Sequence, residues 1–251
     1  MEIISSVKNK LVINAKEVRD NFDGKIFIDN PKTIEEAILL GLKIDYILID
    51  VKKIEKLESS FPILKRVDSK YLVSSNIIES LSKTKTPQGL VAIVKFEKKL
   101  PKNPTNNFVV LENVQDPGNL GAIIRSASGT SFTDLYLINC VSPFNQKVVR
   151  STMGNLFKVN LYQFANTGEF LTFAKNNNLM LVCATMEGEN LFQTKKFDSN
   201  FCIVVGNEGN GISKEMRNYC QKTISIPMKN GLESLNVAVA CSIVIYYFDN
   251  I

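Results

Sequence analysis

Short hydrophobic runs alternate with segments of helical periodicity along most of the chain. In the first hundred residues this pattern predicts strands at 25–28, 46–49 and 89–94, with helices at 31–42 and 74–82. A polar stretch with two prolines follows at 99–107 and is typical of a linker. The pattern therefore predicts a small α/β/α domain over 1–98, a linker over 99–107 and a second domain over 108–251.

The second domain shows the more regular alternation. Strands are predicted at 108–111, 135–138, 158–162, 179–184, 201–205 and 223–226, and helices at 120–128, 147–153, 168–176, 214–220 and 235–247. This order favours an α/β fold with a parallel sheet covered on both faces. Because ligands of such sheets bind at the carboxyl ends of the strands, we expect the chemistry in the loops that begin at 112, 185, 206 and 227.

The amino-acid composition excludes several classes of protein and of catalytic site. Hydrophobic residues make up 45% and charged residues 22%, which excludes a disordered chain. The sequence has no histidine, so imidazole bases, Ser-His-Asp systems and His-ligated metals are excluded. The five cysteines form no Cys-x-x-Cys pair and are interpreted as buried free thiols of a reducing cytoplasm.

We expect a cytoplasmic protein with no membrane segment and no bound metal. The N-terminus lacks the apolar core of a signal peptide, and the most apolar stretch, 237–248, is shorter than the roughly 20 residues that span a bilayer. The net charge is 30 − 25 = +5, of which residues 1–100 contribute 18 − 14 = +4. A basic first part is compatible with a polyanionic partner or with a solvated lysine-rich surface.

The first polar loop follows the strand that ends at Leu111. An Asp-Pro-Gly-Asn turn leads into a helix that we expect Asn119 to cap, which leaves backbone N–H groups facing the loop. Arg125 lies about two turns along this apolar helix. It is either a surface residue or a side chain directed at the loop edge of the sheet.

The second loop, Gly206 to Ser213, is rich in glycine. It fails the P-loop pattern because Ile212 stands where lysine is required, and its Gly-x-x-Gly-x-Gly order inverts the dinucleotide fingerprint. Its three glycines can take positive φ and bring backbone close to a ligand, with the carboxylate of Glu208 beside them. A plain strand-to-helix turn is the alternative.

The third loop begins at Pro227 and ends in a Ser-Leu-Asn step before the last, strongly apolar helix. Ser234 is predicted to cap that helix. Polar groups directly before a buried helix need hydrogen-bond partners, which indicates a functional or structural cluster here.

Together, Asn-x-x-Asp-Pro-Gly-Asn-x-Gly-x-x-x-Arg-Ser-Ala, Gly-Asn-Glu-Gly-x-Gly and Ile-Pro-Met-x-x-x-x-x-Ser-Leu-Asn-Val-Ala-Val-Ala resemble the three motifs of the SpoU (TrmH-type) RNA ribose methyltransferases of the SPOUT superfamily. The segment 142–154 also resembles the one between their first two motifs. Residues 1–98 resemble more loosely an L30e-like substrate-binding domain, best at 86–92. Asp29-Asn30-Pro31 replaces the usual early Glu-Gly of that domain.

The resemblance implies methyl transfer from S-adenosylmethionine to a ribose 2′-hydroxyl of RNA, a deep C-terminal trefoil knot and a homodimer with active sites at its interface. It implies a catalytic group made of Arg125, Asn119, Glu208, Ser234 and Asn236. The donor pocket would be formed by Thr185, Gly206, Asn207, Gly209, Ile226, Met228 and Leu235. Candidate RNA contacts are Lys8, Lys10, Lys83, Lys85, Gln88, Asn145 and Lys147.

With no histidine available, the family assigns proton removal to Arg125. Guanidinium is a poor base at neutral pH, so we interpret Arg125 mainly as a group that binds the adjacent phosphate and positions the hydroxyl.

The glycine order excludes a nucleotide-binding dehydrogenase, whereas a non-catalytic RNA-binding protein of the same fold stays an alternative. An L30e-like first domain and the absence of a basic tail after the last helix favour 23S-type ribosomal RNA, with transfer RNA as the other candidate substrate.

Overall fold

The computed structural model describes residues 3–251, and it divides the chain into two compact units. One comprises the residues up to Lys98 together with Met153–Phe157, and the other comprises Lys99–Thr152 and Lys158–Ile251. Residues 99–107 contain no helix or strand. Each unit is described by itself.

The N-terminal unit holds a mixed four-stranded sheet. Its strands are β1 (Lys25–Ile28), β2 (Ile44–Asp50), β3 (Lys70–Val73) and β4 (Leu90–Lys95), and its helices are α1 (Lys10–Asp20), α2 (Pro31–Leu39), α3 (Ile54–Ser60) and α4 (Ser75–Leu81). The strand order is β1-β4-β2-β3, with β4 antiparallel to both of its neighbours and β2 parallel to β3. Apolar residues of α1 and α4 form a core with alternate residues of the strands. The predicted α/β/α pattern is therefore correct, but it lacked α1, α3 and β3.

The C-terminal unit contains a six-stranded sheet in which every pairing is parallel. Its strands are β5 (Phe108–Glu112), β6 (Asp134–Ile138), β7 (Asn160–Phe164), β8 (Met180–Asn190), β9 (Phe201–Val205) and β10 (Lys222–Ser225), in the order β10-β8-β9-β5-β6-β7. The helices are α5 (Pro117–Ala127), α6 (Gln146–Ser151), α7 (Thr167–Asn176), α8 (Lys214–Tyr219) and α9 (Val237–Asp249). The predicted parallel α/β architecture is confirmed, with helix ends displaced by at most three residues.

Both central strands of this unit are buried along their whole length. β5 and β9 have no exposed residue, as expected for strands covered on both faces. Because the strands are parallel, their carboxyl ends meet at one edge, where the loops after β5, β8, β9 and β10 begin. Within residues 3–251, no helix combines the length and the apolarity required to cross a bilayer.

The prediction of five free thiols is wrong for two of them. The structure joins Cys183 of β8 and Cys220, which follows α8, in a disulfide with their Cα atoms 6.0 Å apart. The two residues lie 37 positions apart in sequence, so only the fold brings them together. Cys140, Cys202 and Cys241 are free.

Candidate active site

A cavity of about 440 Å³ opens at the carboxyl edge of the C-terminal sheet. Its wall comes from the end of β9 and the loop after it, from residues within β8, from the β10–α9 segment and from the start of α9. Every residue predicted to contact the donor lies in this wall: Thr185, Gly206, Asn207, Gly209, Ile226, Met228 and Leu235. Three of the predicted catalytic residues, Glu208, Ser234 and Asn236, line it as well. Three stretches that are distant in sequence, 184–186, 205–217 and 224–244, thus form one concave surface.

The first wall is a segment of β8 that leaves the regular pairing with β10. Cys183 pairs with Thr223, but the next pair is Glu189 with Ile224, so residues 184–188 bulge out of the ladder. The hydroxyl of Thr185 donates to the carbonyl of Glu187 within the bulge. A Cβ on Gly188 would lie 2.7 Å from the carbonyl oxygen of Thr223. Only glycine therefore permits this close approach of two backbones.

The second wall is the loop between β9 and α8, which is closed by backbone hydrogen bonds between Asn207 and Gly211 at 2.9 Å in each direction. The Asn207 Oδ1 atom also accepts from the backbone N–H groups of Gly209 and Asn210. Of the three glycines expected to take positive φ, only Gly211 does so, at 65°. Gly206 is required for another reason, since a Cβ there would lie 2.2 Å from the backbone of Gly211.

A chain of hydrogen bonds joins three of the predicted catalytic side chains. Asn119 Nδ2 donates to Glu208 Oε1 at 2.8 Å, and Asn236 Nδ2 donates to Asn119 Oδ1 at 2.9 Å. Asn207 Nδ2 donates to Glu208 Oε2 at 3.3 Å and to the backbone carbonyl of Asn113 at 2.9 Å. The three sequence motifs are thus linked by side chains within one chain.

The structure corrects both predicted helix caps. Asp116, not Asn119, caps α5 by accepting from the Asn119 N–H at 2.8 Å. Asn236, not Ser234, caps α9 by accepting from the N–H groups of Ala238 and Val239. Pro117 occupies the first helical position of α5, so the cap is Asp116, three residues before Asn119. The amide of Asn119 is then free to bridge Glu208 and Asn236.

Two predicted catalytic residues stand apart from this hydrogen-bonded chain. Arg125 is exposed on α5, does not line the cavity, and makes no side-chain hydrogen bond or ion pair with residues 3–251. Ser234 lines the cavity, but its hydroxyl joins no hydrogen bond among the same residues.

Sequence reasoning missed about half of the residues that line the cavity, Arg217 and Met186 among them, and one buried acid. Arg217 lies on α8, one turn after its N-cap Ser213, and Met186 lies in the bulge of β8; both line the cavity. Glu112 ends β5 and is fully buried. An acidic residue at the end of an apolar strand is a signal that could have identified Glu112 in advance.

No cysteine beside the site is suited to nucleophilic attack. The pKa of the Cys140 thiol is raised to about 11, mainly by burial and to a smaller extent by nearby Glu208, while backbone hydrogen bonds oppose the shift. The thiol is therefore protonated at neutral pH. Among residues 3–251, no group of three or more acidic or cysteine side chains is arranged to hold a metal ion.

The predicted RNA contacts are distributed over both units. In the N-terminal unit, Lys8, Lys10, Lys85 and Gln88 are exposed. Lys83 instead forms an ion pair with Asp20 at 3.0 Å. In the C-terminal unit, Asn145 caps α6 by accepting from the N–H of Lys147, and both residues are exposed. None of these residues belongs to the cavity wall.

Residues 106–246 match the sequence model of the SpoU rRNA Methylase family, which is more than half of the chain. The chain belongs to the SpoU rRNA methylase family. The resemblance inferred from the three motifs is thereby confirmed.

Similarity to individual methyltransferases extends beyond residues 106–246. The 23S rRNA (guanosine(2553)-2′-O)-methyltransferase RlmP of Bacillus subtilis is 26% identical over 98% of this chain and 99% of its own length. An uncharacterised tRNA/rRNA methyltransferase of Synechocystis is 30% identical over 70% of this chain, but this match spans only 65% of that protein.

Solved structures of the family share the fold. AviRb of Streptomyces viridochromogenes, a SpoU methyltransferase crystallised with the cofactor AdoMet, superimposes with a TM-score of 0.83 at 23% identity and covers 97% of this chain and 98% of its own. An rRNA methyltransferase of Sinorhizobium meliloti gives a TM-score of 0.83 at 24% identity, with 99% and 97% coverage. The likeness extends over both units of the chain.

Proposed function

We propose that this protein transfers a methyl group from S-adenosylmethionine to a ribose 2′-hydroxyl of RNA, with 23S-type ribosomal RNA as the preferred substrate. The observation that carries the proposal is the convergence of all seven predicted donor residues on one cavity, beside the Asn119–Glu208–Asn236 chain of hydrogen bonds. The match to RlmP over 98% of the chain supports a ribosomal substrate.

The cavity has the chemistry expected for this donor. Val205, Ile226 and Leu235 offer apolar surface for an adenine ring, and the backbone of the Gly206–Gly211 loop offers hydrogen-bonding groups for its edge. Two carboxylates, Glu208 and Glu233, line the same wall and suit a positively charged sulfonium or ammonium group. When bound, the donor supplies an already activated methyl group, so the protein needs no metal for this step.

The acceptor side requires a group that holds the ribose in line with the methyl group. Arg125 suits this role because a guanidinium binds phosphate in a bidentate manner and stays charged at neutral pH. Since Arg125 does not line the cavity of its own protomer, we propose that it serves the cavity of a second copy in a homodimer. The exposed side chains of Val239 and Tyr246 on α9, which packs against α5, offer apolar surface for such an interface.

We propose that the N-terminal unit is an L30e-like RNA-binding domain. Lys85 and Gln88 lie on the segment that leads into β4, and Lys53 Nζ steadies this segment by donating to the Pro87 carbonyl at 2.9 Å. Exposed lysines can contact phosphates without reading sequence. A cytoplasmic location and a deep C-terminal trefoil knot complete the proposal.

The deciding experiment maps 2′-O-methylation in total RNA from cells with and without this protein. We expect one ribose methylation in 23S-type ribosomal RNA to disappear, whereas loss of a transfer RNA mark would redirect the substrate assignment. Calorimetry with S-adenosylmethionine distinguishes the enzyme from a non-catalytic RNA-binding protein, which needs no donor.

In the same assays, Arg125→Ala should abolish methyl transfer and leave donor binding intact. Substantial residual turnover would show that Arg125 is not required for the reaction.

A further inference from the structure

Glu112 is a fully buried carboxylate that lies outside the cavity wall and accepts hydrogen bonds from two other segments of the chain. Its Oε1 atom accepts from Thr167 Oγ1 at 2.6 Å and from Ser213 Oγ at 2.7 Å. Its Oε2 atom accepts from the Ser213 backbone N–H at 2.8 Å. A buried carboxylate is costly unless it is well hydrogen-bonded, so this arrangement stabilises one geometry of the three segments.

Two of these bonds fix the end of the loop that lines the cavity. Ser213 directly follows Ile212 of the loop and is the N-cap of α8, where its hydroxyl also accepts from the Met216 N–H at 3.2 Å. The start of the loop is fixed by Asn207 Nδ2, which donates to the carbonyl of Asn113. Both ends of the loop are therefore attached to adjacent residues at the end of β5, Glu112 and Asn113.

We propose that Glu112 is a positioning residue that holds the Gly206–Ile212 loop in the conformation that receives the methyl donor; this inference rests on the proposed function. A loop that is ordered before binding loses less conformational entropy when the ligand arrives. Glu112 thus favours donor binding without contacting the donor. Thr167, on α7, bonds the same carboxylate but has no link to the loop, and it offers a matched control.

The test compares Glu112→Gln with Thr167→Val in the full-length protein. A glutamine has only one accepting oxygen, so it cannot accept from the Ser213 N–H on one side and from two hydroxyls on the other. We expect Glu112→Gln to raise the Kd for S-adenosylmethionine about ten-fold, with a smaller change in kcat at saturating donor. We expect Thr167→Val to lower the unfolding temperature but to leave the Kd unchanged.

Amide hydrogen exchange without ligand provides the second readout. Exchange at residues 207–213 should accelerate in Glu112→Gln and not in Thr167→Val. An unchanged Kd in Glu112→Gln, or an equal rise in both variants, overturns the inference, because the effect would then be general destabilisation. If Glu112→Gln does not fold, Ser213→Ala replaces it, and an unchanged Kd there overturns the inference equally. If the wild-type protein binds no S-adenosylmethionine, the proposed function fails, while the exchange comparison still tests the attachment of the loop.

Discussion

The two units place polar side chains at the edge of a sheet in different ways. In the C-terminal unit, side chains from three motifs hydrogen-bond one another beside a cavity. In the N-terminal unit, the buried acids at the strand ends accept hydrogen bonds from nearby hydroxyls, Asp29 from Ser82 and Asp50 from Ser75, while the lysines predicted to contact RNA are exposed. A small charged ligand requires convergent loops around a cavity, whereas contact with a polyanion requires only spaced cations.

Strand direction explains much of this difference. All strands of the C-terminal sheet are parallel, so their loops collect at one edge. In the N-terminal sheet, β4 runs antiparallel between β1 and β2 and brings the segment 82–89 between their carboxyl ends. That segment occupies the position where a crevice would otherwise form.

The tight packing of the Gly206–Ile212 loop in the C-terminal unit predicts that donor binding is sensitive to a single added methyl group. In Gly206→Ala, the new Cβ would lie 2.2 Å from the Gly211 backbone, so the loop must move. We expect donor affinity to fall by about a hundred-fold or more, measured by calorimetry. In Gly209→Ala the nearest atom is 3.6 Å away, and the loss should be only a few-fold, roughly the size of one weak contact. Equal losses in the two variants would contradict a role for close packing within the loop.

A second prediction distinguishes the effect of losing a helix cap from the effect of breaking the hydrogen bond between Asn236 and Asn119. Asn236→Ala removes the cap of α9 and the bond to Asn119, whereas Asp116→Ala removes only the cap of α5. Each should destabilise folding by about 1–2 kcal/mol in urea titrations. Methyl transfer should fall clearly further in Asn236→Ala. Equal losses of activity would mean that the Asn236–Asn119 bond matters only for stability.

The apolar pattern was sufficient to predict most of the sheet architecture. The strand at 25–28 has the predicted bounds, and the continuous hydrophobic runs of β5 and β9 indicated burial on both faces. The helix α1 was missed because Lys10–Asp20 is largely polar and buries only Val12 and Ala15. The strand β3 was missed because it lies at an edge of the sheet and buries only Val73, whereas β1, of the same length, buries three of its four residues.

The sequence was sufficient to predict which residues form the candidate site, but not which of them are hydrogen-bonded or cross-linked to one another. Asp116 was identifiable as a cap, because Asp-Pro places proline at the first helical position, yet Asn119 was chosen. The bond between Cys183 and Cys220 and the burial of Glu112 depend on contacts between distant segments, which no local pattern encodes. The exposed position of Arg125 likewise depends on how α5 packs, since its sequence left both orientations open.

The comparison also predicts that substitutions of two neighbouring lysines in the N-terminal unit, Lys83 and Lys85, reduce RNA affinity to different extents. Lys85 is exposed and makes no ion pair with the rest of residues 3–251, whereas Lys83 lies 3.0 Å from the Asp20 carboxylate. Lys85→Ala should reduce affinity for 23S ribosomal RNA a few-fold and lower the slope of log K against log salt by about 1. Lys83→Ala should have the smaller effect, because Asp20 already offsets its charge. Filter binding at several salt concentrations measures both, and a larger effect from Lys83 would place the RNA on the other side of this segment.

The smallest predicted effect concerns the acid stability that Asp20 contributes to the N-terminal unit. The hydrogen bond from Arg19 lowers the pKa of Asp20 to about 2, with Lys83 adding to the shift and partial burial opposing it. Because the folded-state pKa lies below the ordinary value of 3.8, this contribution is complete above about pH 4 and is lost as the pH falls toward 2. The Asp20 side chain is 43% exposed, so solvent screening limits the contribution to less than about 1 kcal/mol. Asp20→Asn should therefore be slightly less stable than wild type in urea titrations at pH 6, and the difference should shrink at pH 3. A difference that grows on acidification would show that Asp20 destabilises the folded state in its ionised form.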